Sequence, residues 1–284
     1  MNPSTPRELV AIIGSALAQL YADGNEGKAV AELLLMNVFN TNRIGLYGID
    51  EKITDKVILD NIQSAFNRLL NHEPIQYILG ETIFYGLNIS VAKDVLIPRH
   101  ETEELAEWLI GAHEFEQETI DIIDIGCGSG CLSVAIKNNL PRATVSGIDV
   151  SEAALELSKI NAKKHNLDIC FKLQNIFDDN FKWDSEKELI VVSNPPYVLE
   201  SEKPSLSERV KLHEPSMALF VPDDDPLRFY KRILELFATQ AKMFYFEINP
   251  LLADNFMILA NDFGLNSEIR KDFFGRFRMC RIYK

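Results

Sequence analysis

The tetrapeptide Asn194-Pro195-Pro196-Tyr197 follows the apolar run Leu189-Ile190-Val191-Val192-Ser193, where a buried strand would open into a loop. Two consecutive prolines carry no backbone N–H and fix φ, so the loop is stiff and its carbonyls stay available as acceptors. An amide side chain before that turn and an aromatic ring after it suit a flat, nitrogen-bearing group held between them. In isolation the four residues read equally well as a proline-rich turn closing a strand. A second constellation raises the chemical reading. Asp124-Ile125-Gly126-Cys127-Gly128-Ser129-Gly130 follows the strand-like stretch 119–123 and precedes Leu132-Ser133-Val134-Ala135-Ile136, which has helical apolar spacing. Alternate glycines let the backbone bend sharply from strand into helix and approach a ligand closely. The next apolar stretch, 143–148, ends in Asp149, placed to accept hydrogen bonds from both hydroxyls of a ribose. Strand, glycine turn, helix and acid together favour a nucleoside-type cofactor.

The loop chemistry separates two such cofactors. Dinucleotide sites use G-x-G-x-x-G to seat a pyrophosphate at a helix N-terminus, whereas this loop reads G-x-G-x-G and contains no lysine or arginine. Asp124 would repel a pyrophosphate and attract a cation. S-adenosyl-L-methionine has an ammonium, a sulfonium and a ribose but no phosphate, so the charges suit it better than NAD.

On these residues the chain resembles the class I S-adenosylmethionine-dependent methyltransferases that methylate amino groups. Within them it is similar to the release factor glutamine methyltransferases, the PrmC/HemK family. The narrower likeness rests on Pro74-Ile75-Gln76-Tyr77-Ile78-Leu79-Gly80, Phe84-Tyr85-Gly86-Leu87, Leu96-Ile97-Pro98-Arg99-His100-Glu101-Thr102-Glu103 and Glu214-Pro215 with Ala218-Leu219. These pieces run in family order and cover nearly the whole chain from about residue 70 onward. The Asn194 tetrapeptide is shared with DNA and RNA adenine methyltransferases; the segment 97–103 is the discriminating part.

The resemblance implies roles residue by residue. Gly126, Cys127, Gly128, Ser129 and Gly130 would surround the methionine part of the cofactor, with Asp124 and Asn194 also among the residues that hold it. Asp149 would bind the ribose, and Asn175 and Ile176 the adenine. Asn194, Pro195, Pro196 and Tyr197 would hold the substrate, with Asn194, Pro195 and Tyr197 catalytic. The methyl product would be accompanied by S-adenosyl-L-homocysteine. An amide nitrogen is a poor nucleophile because its lone pair is delocalised. Hydrogen bonds from its N–H groups to the Asn194 side-chain oxygen and the Pro195 carbonyl would enrich the nitrogen and aim it, leaving positioning for an in-line displacement. Tyr197 would pack against the planar amide, or else under the loop. Arg99, Glu101, Thr102 and Glu103 read either as an acidic helix start or, by resemblance, as a wall of the site. Three segments depart from the family pattern: Gln174-Asn175-Ile176-Phe177, where an aspartate is common; the acidic 221–227; and Glu247-Ile248-Asn249-Pro250, where a glycine usually follows the isoleucine.

Composition bounds the surroundings. A chain of 284 residues is long enough for a full α/β core with an appendage, and a net charge of -13 disfavours a polyphosphate partner over most of the surface. Cys127, Cys131, Cys170 and Cys280 offer no pattern for zinc and read as reduced, mostly buried residues; no metal is expected. No secretory or membrane-spanning segment is evident, so a cytoplasmic monomer without a membrane partner is expected.

The elements that must position these residues follow from periodicity. Residues 1–73 read as a small helical, substrate-recognition domain with apolar stripes such as Leu9, Ile13, Leu17 and Leu59, Ile62, Phe66. Residues 74–98 read as a linker containing a β-hairpin near 82–91, and 99–284 as the cofactor-binding catalytic domain. Strands are predicted at 119–125, 144–149, 169–174, 188–193, 241–248, 266–271 and 276–283. Helices are predicted near 101–112, 130–139, 151–165, 227–239 and 251–263. This alternation defines an α/β fold: a doubly wound, seven-stranded, mostly parallel, Rossmann-like sheet whose ligands sit at the carboxyl ends of its strands. The resemblance adds that the final strand runs antiparallel. The expected activity is N5-methylation of the glutamine in the Gly-Gly-Gln motif of peptide chain release factors, with no direct nucleic-acid partner. An adenine N6-methyltransferase acting on DNA or RNA and a non-catalytic cofactor-binding module are the competing readings. The acidic balance and 97–103 weigh against the first, and intact Asn194, Pro195, Pro196 and Asp149 against the second.

Overall fold

The computed structural model describes residues 1–21, 24–114, 119–185 and 187–284. They form two compact units, Met1–Gly80 with Ser207–His213, and Glu81–Leu206 with Glu214–Lys284.

The first unit is helical: α1 (Pro6–Leu17), α2 (Gly24–Val38), α3 (Arg43–Gly48), α4 (Lys56–Leu70) and α5 (Ile75–Leu79). Its starts are written in the sequence. Thr5 and Glu8 form a reciprocal capping box ahead of Pro6, and the Asp55 carboxylate accepts from the first amides of α4. Leu9, Ile13, Leu17, Leu34, Leu35 and Ile62 pack its core. The unit extends to Gly80, which closes α5 in the left-handed region at φ 77, rather than ending at residue 73. It also takes in the remote stretch Ser207–His213, where Arg209 pairs with Glu26 at 2.7 Å and lies over the Tyr21 ring. Nothing local in the sequence announces that excursion.

The second unit opens with the hairpin β1 (Glu81–Phe84) and β2 (Leu87–Ser90), then α6 (His100–His113), β3 (Asp121–Ile125), α7 (Cys131–Asn139), β4 (Thr144–Asp149), α8 (Glu152–Lys164), β5 (Cys170–Leu173) and β6 (Leu189–Ser193). A short parallel pair, β7 (Val198–Leu199) and β8 (Phe220–Val221), brackets α9 (Glu208–His213), which belongs to the first unit. The chain ends with α10 (Arg228–Phe237), β9 (Ala241–Glu247), α11 (Ala253–Asp262), β10 (Asn266–Lys271) and β11 (Phe277–Tyr283). Seven strands form one sheet in the order β10-β11-β9-β6-β3-β4-β5, with β11 antiparallel to both its neighbours. The sheet is doubly wound because alternate side chains leave opposite faces. Ile122, Val145, Ile190, Val192 and Tyr245 pack with α6 and α7 on one face; Ile123, Ile148, Val191, Phe244 and Phe246 pack with α10 and α11 on the other. From β3 the chain winds outward through β4 and β5, then returns to place β6 on the other flank of β3. The crevice at that reversal is where such sheets bind ligands.

Candidate active site

A cavity of about 510 Å³ opens at the carboxyl ends of β3, β4 and β6, lined by Asp124, Gly126, Asp149, Asn175 and Asn194 among others. That volume lies in the range of small-molecule sites.

The glycine turn forms its floor. Gly126 follows β3 at φ 73, and a Cβ built there would meet nothing within 4 Å, because the position faces the open cavity. Gly130 begins α7 at φ 74, and a Cβ there would lie 2.9 Å from the Ser158 Cβ, so α8 packs against the turn only because a side chain is missing. Asp124 is fully buried; its Oδ2 accepts from the Ser133 hydroxyl at 2.6 Å and the Ser133 amide at 3.2 Å. Burial still dominates and pushes its carboxyl up to about 7. Asp149 accepts from the Gly128 amide and the Ser151 amide, each at 2.9 Å, which fixes the carboxylate while burial raises its pKa. At the far end Ile176 is buried, and the Asn175 side-chain oxygen is committed to the Phe177 amide at 3.0 Å. That bond orients the Asn175 amide, leaving its N–H groups to donate to a ring nitrogen and one lone pair of the oxygen to accept. The Arg228 guanidinium lies over the Phe177 ring and lines the same end. This set fits S-adenosylmethionine: a bare glycine floor, a buried carboxylate suited to an ammonium, a second for ribose hydroxyls, and no cation in the turn.

The Asn194 loop is tied to that floor. The Ser193 hydroxyl donates to the Ile125 carbonyl at 2.6 Å, linking the ends of β6 and β3. Asn194 Nδ2 donates to Thr102 Oγ1 at 2.9 Å, Thr102 donates to Glu247 Oε2 at 2.6 Å, and the Tyr197 hydroxyl donates to Glu247 Oε1 at 2.7 Å. Glu247 is wholly buried, and that burial raises its pKa against the opposing hydroxyl bonds and Arg278. Arg278 reaches the Tyr197 hydroxyl at 3.5 Å and pairs with the buried Asp272 at 3.4 Å. With Glu247 ionised, the Thr102 proton is spent on the carboxylate, so its oxygen can only accept. The Asn194 nitrogen must then face Thr102 and its oxygen must face away.

The sequence-derived candidates divide accordingly. Asp124, Gly126, Cys127, Gly128, Ser129, Asp149, Asn175, Ile176, Asn194, Pro195 and Pro196 line the cavity; Gly130 lies just beneath it as the close-packing position, and Tyr197 stands behind the loop with its hydroxyl on Glu247. Arg99 and Thr102 line the cavity, Arg99 bound to the buried Glu214 at 2.5 Å, whereas Glu103 turns away to the Tyr85 amide. Glu101 and Glu103 sit in the first turn of α6, the bland half of the reading. The cysteines are more varied than expected: Cys127 and Cys280 are buried, Cys131 is half-buried and Cys170 is exposed. Two departures from the family pattern have local uses. Asn249 donates to the Tyr197 carbonyl at 3.0 Å, and Asp223 accepts from the Ser201 amide, holding the acidic loop. Sequence reasoning passed over Glu247 and Arg278 as site residues. A lone acid closing the otherwise apolar end of a strand was the available signal for Glu247.

Seven strands in this order, a glycine turn after the first parallel strand and an asparagine loop after the fourth define an S-adenosylmethionine-dependent methyltransferase of Rossmann-like fold. Family models agree: a methyltransferase small domain matches residues 106–211, and a PrmC N-terminal domain matches residues 9–80. A release factor glutamine methyltransferase of Flavobacterium psychrophilum is 40% identical over 82% of this chain and 85% of its own. Another, of Bacteroides thetaiotaomicron, is 36% identical over 95% and 97%. The chain belongs to the release factor glutamine methyltransferase family. Among solved structures, the N-terminal domain of human METTL16 in complex with SAH shares the fold, with a TM-score of 0.52 and 15% identity over 87% of this chain and 90% of that one.

Proposed function

We propose that this enzyme methylates N5 of the glutamine in the Gly-Gly-Gln motif of peptide chain release factors. The observation that carries the reading is the fixed polarity of Asn194, whose nitrogen is held on Thr102 so that its oxygen is left to accept from a substrate amide N–H. S-adenosylmethionine, when bound, supplies an electrophilic methyl group on a sulfonium, and S-adenosylhomocysteine is its product. Asn194 and the Pro195 carbonyl hold the acceptor's N–H groups, which enriches and aims a nitrogen that is otherwise a poor nucleophile. As the nitrogen takes the methyl and acquires positive charge, the same two oxygens stabilise it; the sulfonium leaves as the neutral thioether and the now acidic N–H proton passes to solvent, so no strong base is needed. Tyr197 supports the loop from behind through Glu247. Asp124 serves the cofactor's ammonium, Asp149 its ribose, and Asn175 with Ile176 its adenine. The helical unit is assigned to recognition of the release factor, and the enzyme to a monomer working in the cytoplasm without a nucleic-acid partner. No helix among the described residues is long and apolar enough to cross a membrane.

The test is direct transfer. Purified enzyme with methyl-labelled S-adenosylmethionine should label an unmethylated release factor and leave unlabelled a variant whose Gly-Gly-Gln glutamine is alanine. Label on DNA or RNA with none on the release factor would overturn the assignment.

A further inference from the structure

The turn between β10 and β11 places two aromatic rings in water. Phe273 is 89% exposed and Phe274 73%, adjacent to each other with their rings edge-to-face at 5.9 Å. Scattered exposed apolar residues are ordinary, but a neighbouring pair almost wholly in water marks a contact surface. β10 runs antiparallel to β11, which runs antiparallel to β9, and β9 is parallel to β6. The tip therefore sits on the carboxyl edge of the sheet, the edge that carries Asn194.

The tip is also closed by its own hydrogen bonds. Gly275 takes φ 80, its amide bonds the Asp272 carbonyl, and the buried Asp272 carboxylate accepts from the Arg276 amide at 2.9 Å. Two further ties run toward the reaction centre. The Phe273 amide donates to Glu104 at 3.1 Å, two residues along α6 from Thr102. Arg278 pairs with Asp272 and reaches the Tyr197 hydroxyl of the Asn194 loop. These ties fix the backbone that carries the two exposed phenylalanines.

We infer that Phe273 and Phe274 are an apolar docking contact for the protein that carries the methyl-accepting glutamine. The inference rests on the proposed function, since a glutamine delivered by a folded protein brings that protein's surface over this edge. The pair shares its edge of the sheet with the site the glutamine must reach, and the occupant is an apolar patch beside the acceptor loop. Lys271 and Arg276 flank the pair in a chain of net charge -13, so the partner patch is expected to be bordered by acidic residues.

The test is steady-state kinetics of Phe273→Ser/Phe274→Ser on full-length release factor. Both side chains are exposed, so the melting temperature and the affinity for S-adenosylmethionine should match wild type. The expected result is a KM for the release factor raised about tenfold or more, with kcat at saturation nearly unchanged and part of the loss restored by Phe273→Leu/Phe274→Leu. A KM indistinguishable from wild type overturns the inference, as does a collapse of kcat at unchanged KM. Failure of wild type itself to methylate the release factor sinks the proposed function instead, so the two failures are separable.

Discussion

Asn194 Nδ2 donates to Thr102 Oγ1 at 2.9 Å, joining the loop after β6 to the first turn of α6. The bond orients an amide whose two ends differ only in whether they donate or accept. Thr102→Val keeps the volume but removes the acceptor, so the Asn194 amide is free to turn its N–H groups toward the substrate. The expected outcome is a kcat lower by about ten- to a hundredfold with S-adenosylmethionine affinity unchanged, while Thr102→Ser stays near wild type. Equal losses in the valine and serine variants would show that packing, not polarity, matters at this position.

Glu247 keeps Thr102 in its donating role, and Glu247→Gln should disturb it without changing shape. One end of the new amide must face a hydroxyl that was donating. We expect a fall in kcat comparable to that of Thr102→Val, and a double variant little worse than either single one, because both act on one chain of bonds. The acid side of the kcat–pH profile carries the same information. Burial raises the Glu247 pKa, with Tyr197, Arg278 and Glu101 the groups that face it. Below that raised pKa one carboxyl oxygen carries a proton and donates while the other still accepts; in the molecules where Oε2 is the protonated one, Thr102 must accept from it, the relay reverses and kcat declines. The decline should disappear in Glu247→Gln.

Much of this was legible in the chain. The glycine turn, Asp149 and the Asn194 loop announce themselves because steric and hydrogen-bonding demands at strand ends are local, and the apolar runs place the seven strands of the main sheet to within two residues, though not the short β7–β8 pair. The relay was not legible. Thr102 and Glu247 are 145 positions apart, and Thr102 alone looks like part of an acidic helix start. The carboxylate behind Tyr197 was equally hidden, because Glu247, which accepts from the Tyr197 hydroxyl, lies 50 positions further along the chain. The union of Ser207–His213 with the helical unit is likewise a long-range pairing without a sequence period.

Gly126 and Gly130 should fail differently when replaced by alanine. Both have positive φ, which costs an alanine about 1–2 kcal/mol. At Gly126 the added methyl enters the cavity, so S-adenosylmethionine affinity should fall by more than the strain alone implies. At Gly130 it meets the Ser158 Cβ at 2.9 Å, so α8 must shift and the melting temperature should fall further. Isothermal titration beside thermal melts distinguishes the two; equal effects on both readouts would contradict the placement of Gly126 on the cavity floor.

Asp124 sets stability against cofactor binding. Its carboxyl is raised from 3.8 to about 7, so the folded protein retains a proton that the unfolded chain gives up. Stability from this group is fully present below the unfolded value and is lost as pH rises through about 7, a cost of roughly 4 kcal/mol once both states are ionised. Asp124→Asn keeps an oxygen to accept both Ser133 bonds and abolishes the buried charge. The cofactor-free variant should therefore melt higher than wild type at about pH 8, with the gap narrowing toward about pH 5. Binding should change in the opposite sense. The variant loses the charge that suits the ammonium, and its affinity should be weaker by about tenfold or more at pH 8. Wild-type affinity should also weaken as pH drops below about 7, because binding then requires expelling the retained proton, whereas Asp124→Asn should show little dependence there. Melting curves and titration calorimetry across this range would reveal both trends. An Asp124→Asn variant that melts lower than wild type at pH 8, or binds as tightly, would mean that Asp124 is held ionised by a partner other than the cofactor.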